Sequence, residues 1–242
     1  MEDIMLRADI YQLEEKLDIK FNNKSLLLKA VTHKSFPNEN PDLTLNNNER
    51  LEFLGDSVLG LSIATKIFED YGEMPEGGLA KMRAILVSAV TLARKARDIE
   101  LNNHILLGRG EEMTGGRDRD SILADALEAI FGAIYLDQGF KEAKLFINDF
   151  FDEDIELVKT GEYNKDFKTV LQEYVQQNSD YRPEYKIIEE LGPDHNKEFK
   201  MEVLLDGNSL GEGSGSTKKG AEQKAARSAL VNLGEIKERD GG

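Results

Sequence analysis

The stretch 47–60, NNERLEFLGDSVLG, decides how the rest of this 242-residue chain is interpreted. It contains three carboxylates, Glu49, Glu52 and Asp56, at the spacing i, i+3 and i+7. On an α-helix these positions lie within about 60° of one another, so the spacing predicts three acids on one face. Apolar residues project to the opposite side and predict a face that packs against the core. This apolar set consists of Leu51, Leu54, Val58 and Leu61.

Two residues of this helix do not fit a simple amphipathic pattern. Phe53 lies beside the acids and away from the apolar side. Gly60 lies on the acidic face inside the helix, where glycine costs about 1 kcal/mol relative to alanine, and we expect it to leave room for another group to approach the backbone. An acidic helix face taken alone is most often a solvated surface, and that alternative is open here because 32% of the residues are charged.

A second stretch, 121–136, SILADALEAIFGAIYL, favours a shared site over a solvated surface. Asp125 and Glu128 are spaced i, i+3, Gly132 follows on the same face, and the rest of the helix is strongly apolar. Carboxylates brought together on two such helices repel one another unless a proton or a cation lies between them. Because the chain has no cysteine, these oxygen ligands predict Mg²⁺, with Mn²⁺ as a substitute. Such a site, completed by substrate phosphate oxygens, is suited to hydrolysis of a phosphodiester.

The segments NERLEFLGDSVLG at 48–60 and ILADALEAIFGAIYLD at 122–137 resemble the paired signature of the bacterial ribonuclease III family. The resemblance implies an all-α endonuclease domain that cuts double-stranded RNA with Mg²⁺ and leaves 5′-phosphate and 3′-hydroxyl ends. It implies a role in the maturation and turnover of ribosomal and other RNAs. It also implies a homodimer in which Phe53 packs into the partner subunit.

The resemblance assigns roles to single residues of this chain. Asp56 and Glu128 correspond to the acids that are essential for catalysis in the family. Glu52, Asp125 and Glu128 are expected to hold the metal, and Glu49 to lie just outside that set or near the substrate. Our hypothesis is that a water activated by the metal attacks the phosphorus, with Asp56 acting through water or orienting the nucleophile.

The rest of residues 1–158, the expected catalytic domain, is predicted to be helical with polar loops. His33, in THKSF, is expected to be a packed, hydrogen-bonded histidine at a helix end, and it is not included in the site. The glycine-rich loop 108–116 lacks the order of a phosphate-binding loop, so we expect no nucleotide cofactor. Three arginines near it leave phosphate contact open: Arg109, Arg117 and Arg119. The predicted helices cover 10–17, 24–34, 79–98 and 140–158, and a loop is predicted at 37–47.

After a short polar linker at 159–165, the pattern changes to α-β-β-β-α, which fits a small α+β domain at 166–234. With FKTVLQEYVQQ at 167–177 and GSTKKGAEQKAA at 215–226, this order resembles a double-stranded RNA-binding domain. The tail 235–242 is predicted to be disordered. The predicted helices are 166–177 and 216–233, and the predicted strands are 185–190, 199–205 and 209–213.

The second domain offers candidate RNA contacts. Lys218 and Lys219 lie in the first turn of the last helix, behind a cap at Ser216 or Thr217, where cations oppose the helix dipole. A phosphate partner therefore explains the two lysines better than a structural role. Contacts of this kind read A-form shape and 2′-hydroxyl groups, not base sequence. The resemblance implies further contacts to the RNA minor groove by Thr169, Gln172, Glu173 and His195.

Composition limits these interpretations. The net charge of −15 is unusual for a nucleic-acid binder, and most of the excess acid lies before residue 163. RNA affinity must therefore come from local basic clusters and depend strongly on salt. The absence of a long apolar run predicts no membrane span, and the N-terminus MEDIMLRADI does not resemble a signal peptide. Together with the absence of cysteine, this predicts a cytoplasmic protein.

Two other readings have to be considered. A catalytically silent relative would bind double-stranded RNA as a scaffold or regulator, but it would need its acidic cluster to be lost. Here all of the signature carboxylates are present. The acids could instead hold Ca²⁺ for stability alone, but no loop has the ligand spacing of an EF-hand.

Overall fold

A computed structural model describes residues 8–161, 163, 165–179, 181–192, 197–215 and 217–236 of the chain. The chain divides into two compact units, Met1–Tyr163 and Asn164–Gly242. Within the described residues, no helix is both long enough and apolar enough to span a bilayer. Of the predicted tail 235–242, residues 237–242 lie outside the described part.

The first unit is helical, as predicted. Two turns of 3₁₀-helix, Leu101–His104 and Gly116–Asp118, connect some of its helices. The described α-helices are α1 (Ile10–Lys16), α2 (Lys24–Ala30), α3 (Ser35–Glu39), α4 (Glu49–Asp70), α5 (Glu76–Leu86), α6 (Ala89–Asp98), α7 (Arg109–Met113), α8 (Asp120–Gln138) and α9 (Phe140–Lys159).

Helix α8 runs through the core of this unit. From Ile122 to Ile134 every residue is buried except Asp125 and Glu128, which are half-buried. A helix that is apolar on all sides must be covered on all sides, which explains why it is the central helix. Phe131 on its far side packs among phenylalanines of α9. The two acids therefore form the one polar, half-buried patch on this stretch of an otherwise apolar helix.

Helices α4 and α8 cross with their backbones in contact. A Cβ atom on Gly55 would lie 1.7 Å from the carbonyl oxygen of Glu128, and one on Gly132 would lie 2.3 Å from the carbonyl oxygen of Leu51. Only glycine fits at these two positions without moving a helix. Gly60 takes no part in this crossing: among the described residues nothing lies within 4 Å of a Cβ there, and the room expected at that position stays a prediction.

The apolar face of α4 is partly different from the predicted one. Leu51 and Val58 are buried as expected, but Leu61 is 56% exposed. Leu59 and Ile63 occupy the buried face instead, because α8 crosses α4 on the side of Gly55 and so shifts the buried stripe.

The long helix predicted over 79–98 is two helices, α5 and α6, separated at Val87 and Ser88. The backbone of Ser88 is extended. The hydroxyl group of Ser88 accepts a hydrogen bond from the Thr91 N–H at 3.3 Å and donates one to the Ile85 carbonyl at 2.9 Å. One serine thus satisfies free backbone groups of both helices, which is a favoured use of serine at helix ends.

Other predicted bounds also change. Helix α2 ends at Ala30 instead of residue 34, and the predicted loops 37–47 and 108–116 contain the end of α3 and the whole of α7, respectively. Thr32 and Leu106 form an isolated parallel bridge, which holds the segment before α3 beside the segment before α7. Glu39 accepts the N–H groups of Arg109 and Gly110 at 2.7 and 3.1 Å, so α3 and α7 are tied at their ends.

Beyond α9, part of the predicted linker 159–165 is held on the first unit. Lys159 still belongs to α9. The Tyr163 hydroxyl donates to Thr91 Oγ1 at 2.7 Å and accepts from Arg94 Nη2 at 3.0 Å. Arg94 also pairs with Asp154, a buried residue of α9 that accepts a hydrogen bond from Lys95 at 2.8 Å. Tyr163 thus packs on an ionic network centred on the buried Asp154.

The second unit has the predicted α-β-β-β-α order. Its three strands form one antiparallel sheet in the order β1-β2-β3. Gly211, Gly213 and Gly215 of β3 face the last helix at close range; a Cβ on Gly213 would lie 2.3 Å from the Ala225 nitrogen. The elements are α10 (Phe167–Asn178), β1 (Glu184–Leu191), β2 (Glu198–Leu205), β3 (Asn208–Gly215) and α11 (Lys218–Asn232).

Candidate active site

The crossing of α4 and α8 brings three carboxylates together. Glu52 projects from α4, and Asp125 and Glu128 project from successive turns of α8. One carboxylate oxygen from each of the three lies within 4.8 Å of the others, and all three residues are half-buried. The three residues that the sequence predicts as metal ligands therefore lie at one place, beside the backbone contact at Gly55.

The other two predicted acids border this cluster. Asp56 is exposed on α4 and is not one of the three closely grouped acids. Its negative charge nevertheless acts strongly on Glu128, as described below. Glu49 is exposed, pairs with Lys34 at 3.2 Å and accepts a hydrogen bond from the Asn47 amide at 3.1 Å. These two partners hold the pKa of the Glu49 carboxyl below its ordinary value, with the Lys34 hydrogen bond as the main cause.

Burial and mutual repulsion make the cluster hard to ionise. Burial, followed by the charges of Asp56, Asp125 and Glu52, raises the pKa of Glu128 to about 8. The pKa of Glu52 is raised by burial and then by the charge of Asp125, and burial also raises the pKa of Asp125. Without a cation the cluster therefore retains a proton near neutral pH.

A divalent cation fits this donor set. Three carboxylates on rigid helices supply hard oxygen ligands, and their partly exposed side leaves room for water and phosphate oxygens. No cysteine is present, so the softer ligand sets typical of structural zinc sites are absent. Burial raises all three pKa values, and repulsion by neighbouring carboxylates adds to the rise for Glu52 and Glu128. A bound cation would favour the ionised form of each acid.

His33 and Ser35 connect the edge of the site to the α7 segment. His33 is half-buried and, as expected, hydrogen-bonded: its Nδ1 lies 2.8 Å from the Ser35 hydroxyl. That hydroxyl oxygen accepts the Gly108 N–H at 2.8 Å. Burial lowers the pKa of His33, while the charges of Glu111 and Asp125 act in the opposite direction, which places the ring near the acidic cluster.

The arginines of the predicted phosphate-contact region have different surroundings. Arg117 donates to Glu112 at 2.7 Å and to the Asn102 carbonyl at 2.5 Å, and Arg119 donates to Glu111 at 2.5 Å. These two arginines hold the glycine-rich segment in place. Arg109 is exposed and has no ion pair within the described residues.

Phe53 does not contribute to the core of its own subunit. Its side chain is 78% exposed on α4. Two other apolar residues of α4, Leu61 at 56% and Phe68 at 69%, are also exposed. Large apolar side chains exposed along one helix are typical of an interaction surface.

The predicted RNA contacts of the second unit lie on exposed parts of two helices. Gln172 and Glu173 are exposed on α10, and Thr169 is exposed with its hydroxyl donated to Asp166 at 3.0 Å. Lys218 and Lys219 are exposed in the first turn of α11. Thr217 caps that turn by accepting the Gly220 N–H at 3.0 Å. His195 and Ser216 lie outside the described residues.

Comparison with known proteins agrees with this architecture. The family model described as Ribonuclease-III-like matches residues 23–155, and the model described as Double-stranded RNA binding motif matches residues 167–233. The chain belongs to the ribonuclease III family. As a member, it is an endoribonuclease that uses a divalent metal.

Relatives cover almost the whole chain. Ribonuclease 3 of Oceanobacillus iheyensis is 47% identical over 227 residues, which cover 93% of this chain and 98% of that protein. Ribonuclease 3 of Caldanaerobacter subterraneus subsp. tengcongensis is 47% identical over 225 residues, with coverage of 93% and 98%. Among solved structures, the nuclease domain of ribonuclease III from Campylobacter jejuni is 43% identical. The superposition covers 60% of this chain and 96% of the solved chain, with a TM-score of 0.55.

Two residues of this ribonuclease III site are not found by reading the sequence. Gly55 is essential to the crossing, but a glycine next to Asp56 shows its purpose only when the crossing helix is known. Lys34 is the cation that pairs with Glu49, and its charge lowers the pKa of Glu52 and Asp125 against the effect of burial. The sequence gives little indication of this role, because Lys34 follows His33 in a segment that is distant in sequence from the second pair of acids.

Proposed function

We propose that the carboxylate cluster hydrolyses the phosphodiester bonds of double-stranded RNA with Mg²⁺, for which Mn²⁺ substitutes. Glu52, Asp125 and Glu128 would hold the ion. The observation that carries this proposal is the meeting of three carboxylate oxygens within 4.8 Å on two helices that cannot separate without loss of packing. Oxygen ligands and an open side for phosphate favour Mg²⁺ over softer metals.

When bound, the cation supplies Lewis-acid stabilisation of the charge that develops on the phosphoryl group and makes water more acidic. The residues of the chain do the rest. Glu52, Asp125 and Glu128 fix the geometry in which the phosphate is presented. Asp56, which is exposed but close enough to Glu128 to affect it, accepts a hydrogen bond from the attacking water and orients it in line with the leaving 3′-oxygen. Cleavage of the P–O3′ bond leaves 5′-phosphate and 3′-hydroxyl ends.

The second unit positions the substrate. Lys218 and Lys219 would contact phosphates, and Thr169, Gln172 and Glu173 would face the minor groove, together with His195. All of these residues except His195 are exposed within the described part of the chain. Because such contacts read duplex shape, they suit an enzyme of RNA maturation and turnover that acts on many sequences, including ribosomal RNA precursors. A cytoplasmic location stays a prediction.

The test of the catalytic centre is cleavage of a long double-stranded RNA by the wild type and by Glu128→Gln, in Mg²⁺, in Mn²⁺, in Ca²⁺ and in EDTA. A ligand to the metal contributes several kcal/mol to the transition state, so we expect a loss of about 10²- to 10³-fold. RNA binding, measured by gel shift in EDTA, should change little because phosphate contacts elsewhere position the duplex.

Glu69→Gln is the matched control, because Glu69 lies on α4 in an ion pair with Lys144, outside the cluster. It should cleave like the wild type. Equal cleavage by Glu128→Gln and Glu69→Gln would contradict the proposed site. RNA binding without cleavage by the wild type would instead support a silent scaffold, and full activity with Ca²⁺ in place of Mg²⁺ would contradict the proposed metal chemistry.

We also infer that the enzyme is a homodimer in which Phe53 is buried by the partner subunit. The support is the 78% exposure of this ring, and the Campylobacter jejuni nuclease domain is described as having a region involved in dimer formation. Two sites in a dimer would cut the two strands of one duplex.

Light scattering of Phe53→Ala tests the dimer. An aromatic anchor at the centre of an interface contributes about 2 kcal/mol or more, and a symmetric dimer loses two of them, so the dissociation constant should rise about 10³-fold. Val90→Ala is the control, because Val90 is 72% exposed on another helix. It should leave the dimer intact. A Phe53→Ala protein that stays dimeric at the same concentrations would refute the role of Phe53.

A further inference from the structure

Two lysines of the second unit converge on one carboxylate, Glu190. Lys197 Nζ lies 3.2 Å from Glu190 Oε2, and Lys218 Nζ lies 3.4 Å from Glu190 Oε1. The ammonium group of Lys218 also lies 5.3 Å from the centre of the Phe199 ring. The first lysine of α11 is therefore held between a carboxylate and an aromatic face.

The sheet register explains this arrangement. Glu190 is paired with Phe199, and Phe199 is paired with Gly215. A Cβ on Gly215 would lie 3.0 Å from the Ala221 nitrogen, so this row of the sheet faces the start of α11. Directly paired residues share one face of a sheet, which directs the Glu190 side chain toward the first turn of α11.

The neighbouring lysine differs. Lys219 is exposed in the same turn and has no ion pair among the residues that the structure describes. Glu190 stays ionised, because the hydrogen bond from Lys197 and then that from Lys218 hold the pKa of its carboxyl below the ordinary value. One of the two candidate phosphate-binding lysines is thus already paired with an anion of the same chain.

We propose that Glu190 competes with RNA phosphate for Lys218 and thereby weakens the hold of the second unit on double-stranded RNA. This proposal rests on the proposed function, which assigns Lys218 to a phosphate. When RNA binds, Lys218 has to leave Glu190, and the freed carboxylate lies close to the phosphate that replaces it. A bound phosphate releases cations from RNA, but the freed carboxylate takes up cation again, so the salt dependence of binding is also reduced.

The experiment is fluorescence anisotropy of the full chain with a short double-stranded RNA in EDTA, over a series of sodium chloride concentrations. Exposed ion pairs are modest, so Glu190→Gln should bind about two- to five-fold more tightly than the wild type. Its slope of log affinity against log salt should be steeper by up to about one.

Glu212→Gln is the matched control. Glu212 pairs with Lys200 at 2.7 Å, and it points away from α11 because its neighbour Gly213 faces that helix. Both substitutions change the net charge equally, so both share any long-range effect on RNA. Equal tightening by the two variants would overturn the proposal.

Lys218→Gln and the double variant Lys218→Gln/Glu190→Gln complete the cycle. The advantage of Glu190→Gln should disappear in the Lys218→Gln background, and its persistence there would overturn the assignment to Lys218. Lys218→Gln with unchanged binding would instead show that the proposed phosphate contact is wrong. Loss of binding by Lys218→Gln without any gain from Glu190→Gln would leave the contact intact and refute the competition. Thermal unfolding curves verify that each variant is folded.

Discussion

In the first unit the charges proposed to be functional are held by two helices whose backbones touch, whereas in the second they extend from the exposed N-terminal end of one helix. The acids Glu52, Asp125 and Glu128 are half-buried, and their pKa values are raised. The lysines Lys218 and Lys219 are exposed, and the first of them contacts both the Glu190 carboxylate and the Phe199 ring.

This difference agrees with the role proposed for each region. Chemistry at phosphorus requires reacting groups fixed to within a fraction of an ångström, and rigid close packing provides that precision. Recognition of duplex shape requires positive charge at about the right place, and a flexible side chain is sufficient. A small steric change should therefore reduce activity severely at the first region. At the second region it should change RNA affinity only gradually.

Among the tests of this comparison, the largest expected effect is that of Gly55→Ala. The added methyl group would lie 1.7 Å from the Glu128 carbonyl oxygen, so α4 and α8 must move apart. Overpacking of this kind costs about 1–3 kcal/mol of stability or more. A displacement near 1 Å at the site should lower cleavage about 10²-fold. Denaturant unfolding and cleavage assays on the same preparations measure both losses.

Gly60→Ala is the control for that substitution. Nothing lies within 4 Å of a Cβ at Gly60, so alanine there should stabilise α4 by up to about 1 kcal/mol and leave cleavage unchanged. If Gly55→Ala retained full activity, the crossing would not be what positions the carboxylates.

A change of pH is expected to have a smaller effect, and it acts on the stability of the metal-free protein. The pKa of Glu128 is about 8 in the folded protein, against an ordinary value of 4.5, so between these values the folded state holds a proton that the unfolded state has lost. The stability of the metal-free protein should therefore fall as pH rises from about 4.5 to about 8 through this group, and no further above that. Thermal unfolding in EDTA across this range measures it.

Glu128→Gln cannot ionise and should lack this part of the pH dependence. Added Mg²⁺ should reverse the trend in the wild type, because the ion competes with the proton and binds more tightly as pH rises toward about 8. Parallel stability curves for wild type and variant in EDTA would show that Glu128 is not the group that holds the proton.

The smallest effect is expected at the N-terminal end of α11. Thr217→Ala removes the acceptor of the Gly220 N–H and should cost about 1 kcal/mol of stability in the second unit. RNA affinity should fall only slightly, since the lysines remain exposed. Thr217→Ser keeps the hydroxyl and should behave like the wild type in unfolding and anisotropy. Identical stability of the two variants would argue against the cap.

Much of the architecture follows from sequence patterns, and the misses have physical causes. The acids of α4 and α8 were placed on shared faces because helical periodicity fixes them locally. The sequence does not predict the break at Ser88, because the apolar pattern continues in phase across it and serine is compatible with either state. Periodicity predicts Leu61 on the buried face, whereas it is exposed, because the sequence does not show on which side α8 crosses.

The candidate site divides in the same way. The acids proposed as metal ligands lie on two helices, and the spacing within each helix can be seen in the sequence. Gly55 and Lys34 act across elements remote in sequence, so their roles depend on the tertiary fold alone. In the second unit, element order was predicted correctly, whereas the pairing of Lys218 with Glu190 depends on strand register.

The contact between Gly55 and the Glu128 carbonyl also constrains how this enzyme can diverge. A lineage that loses the Glu128 carboxylate keeps the crossing and can regain activity by one substitution. A lineage that places a side chain at Gly55 has to shift two helices, and restoring the acids then no longer restores their spacing. Once the crossing is filled, restored acids are not sufficient, because the glycine at position 55 has to return as well.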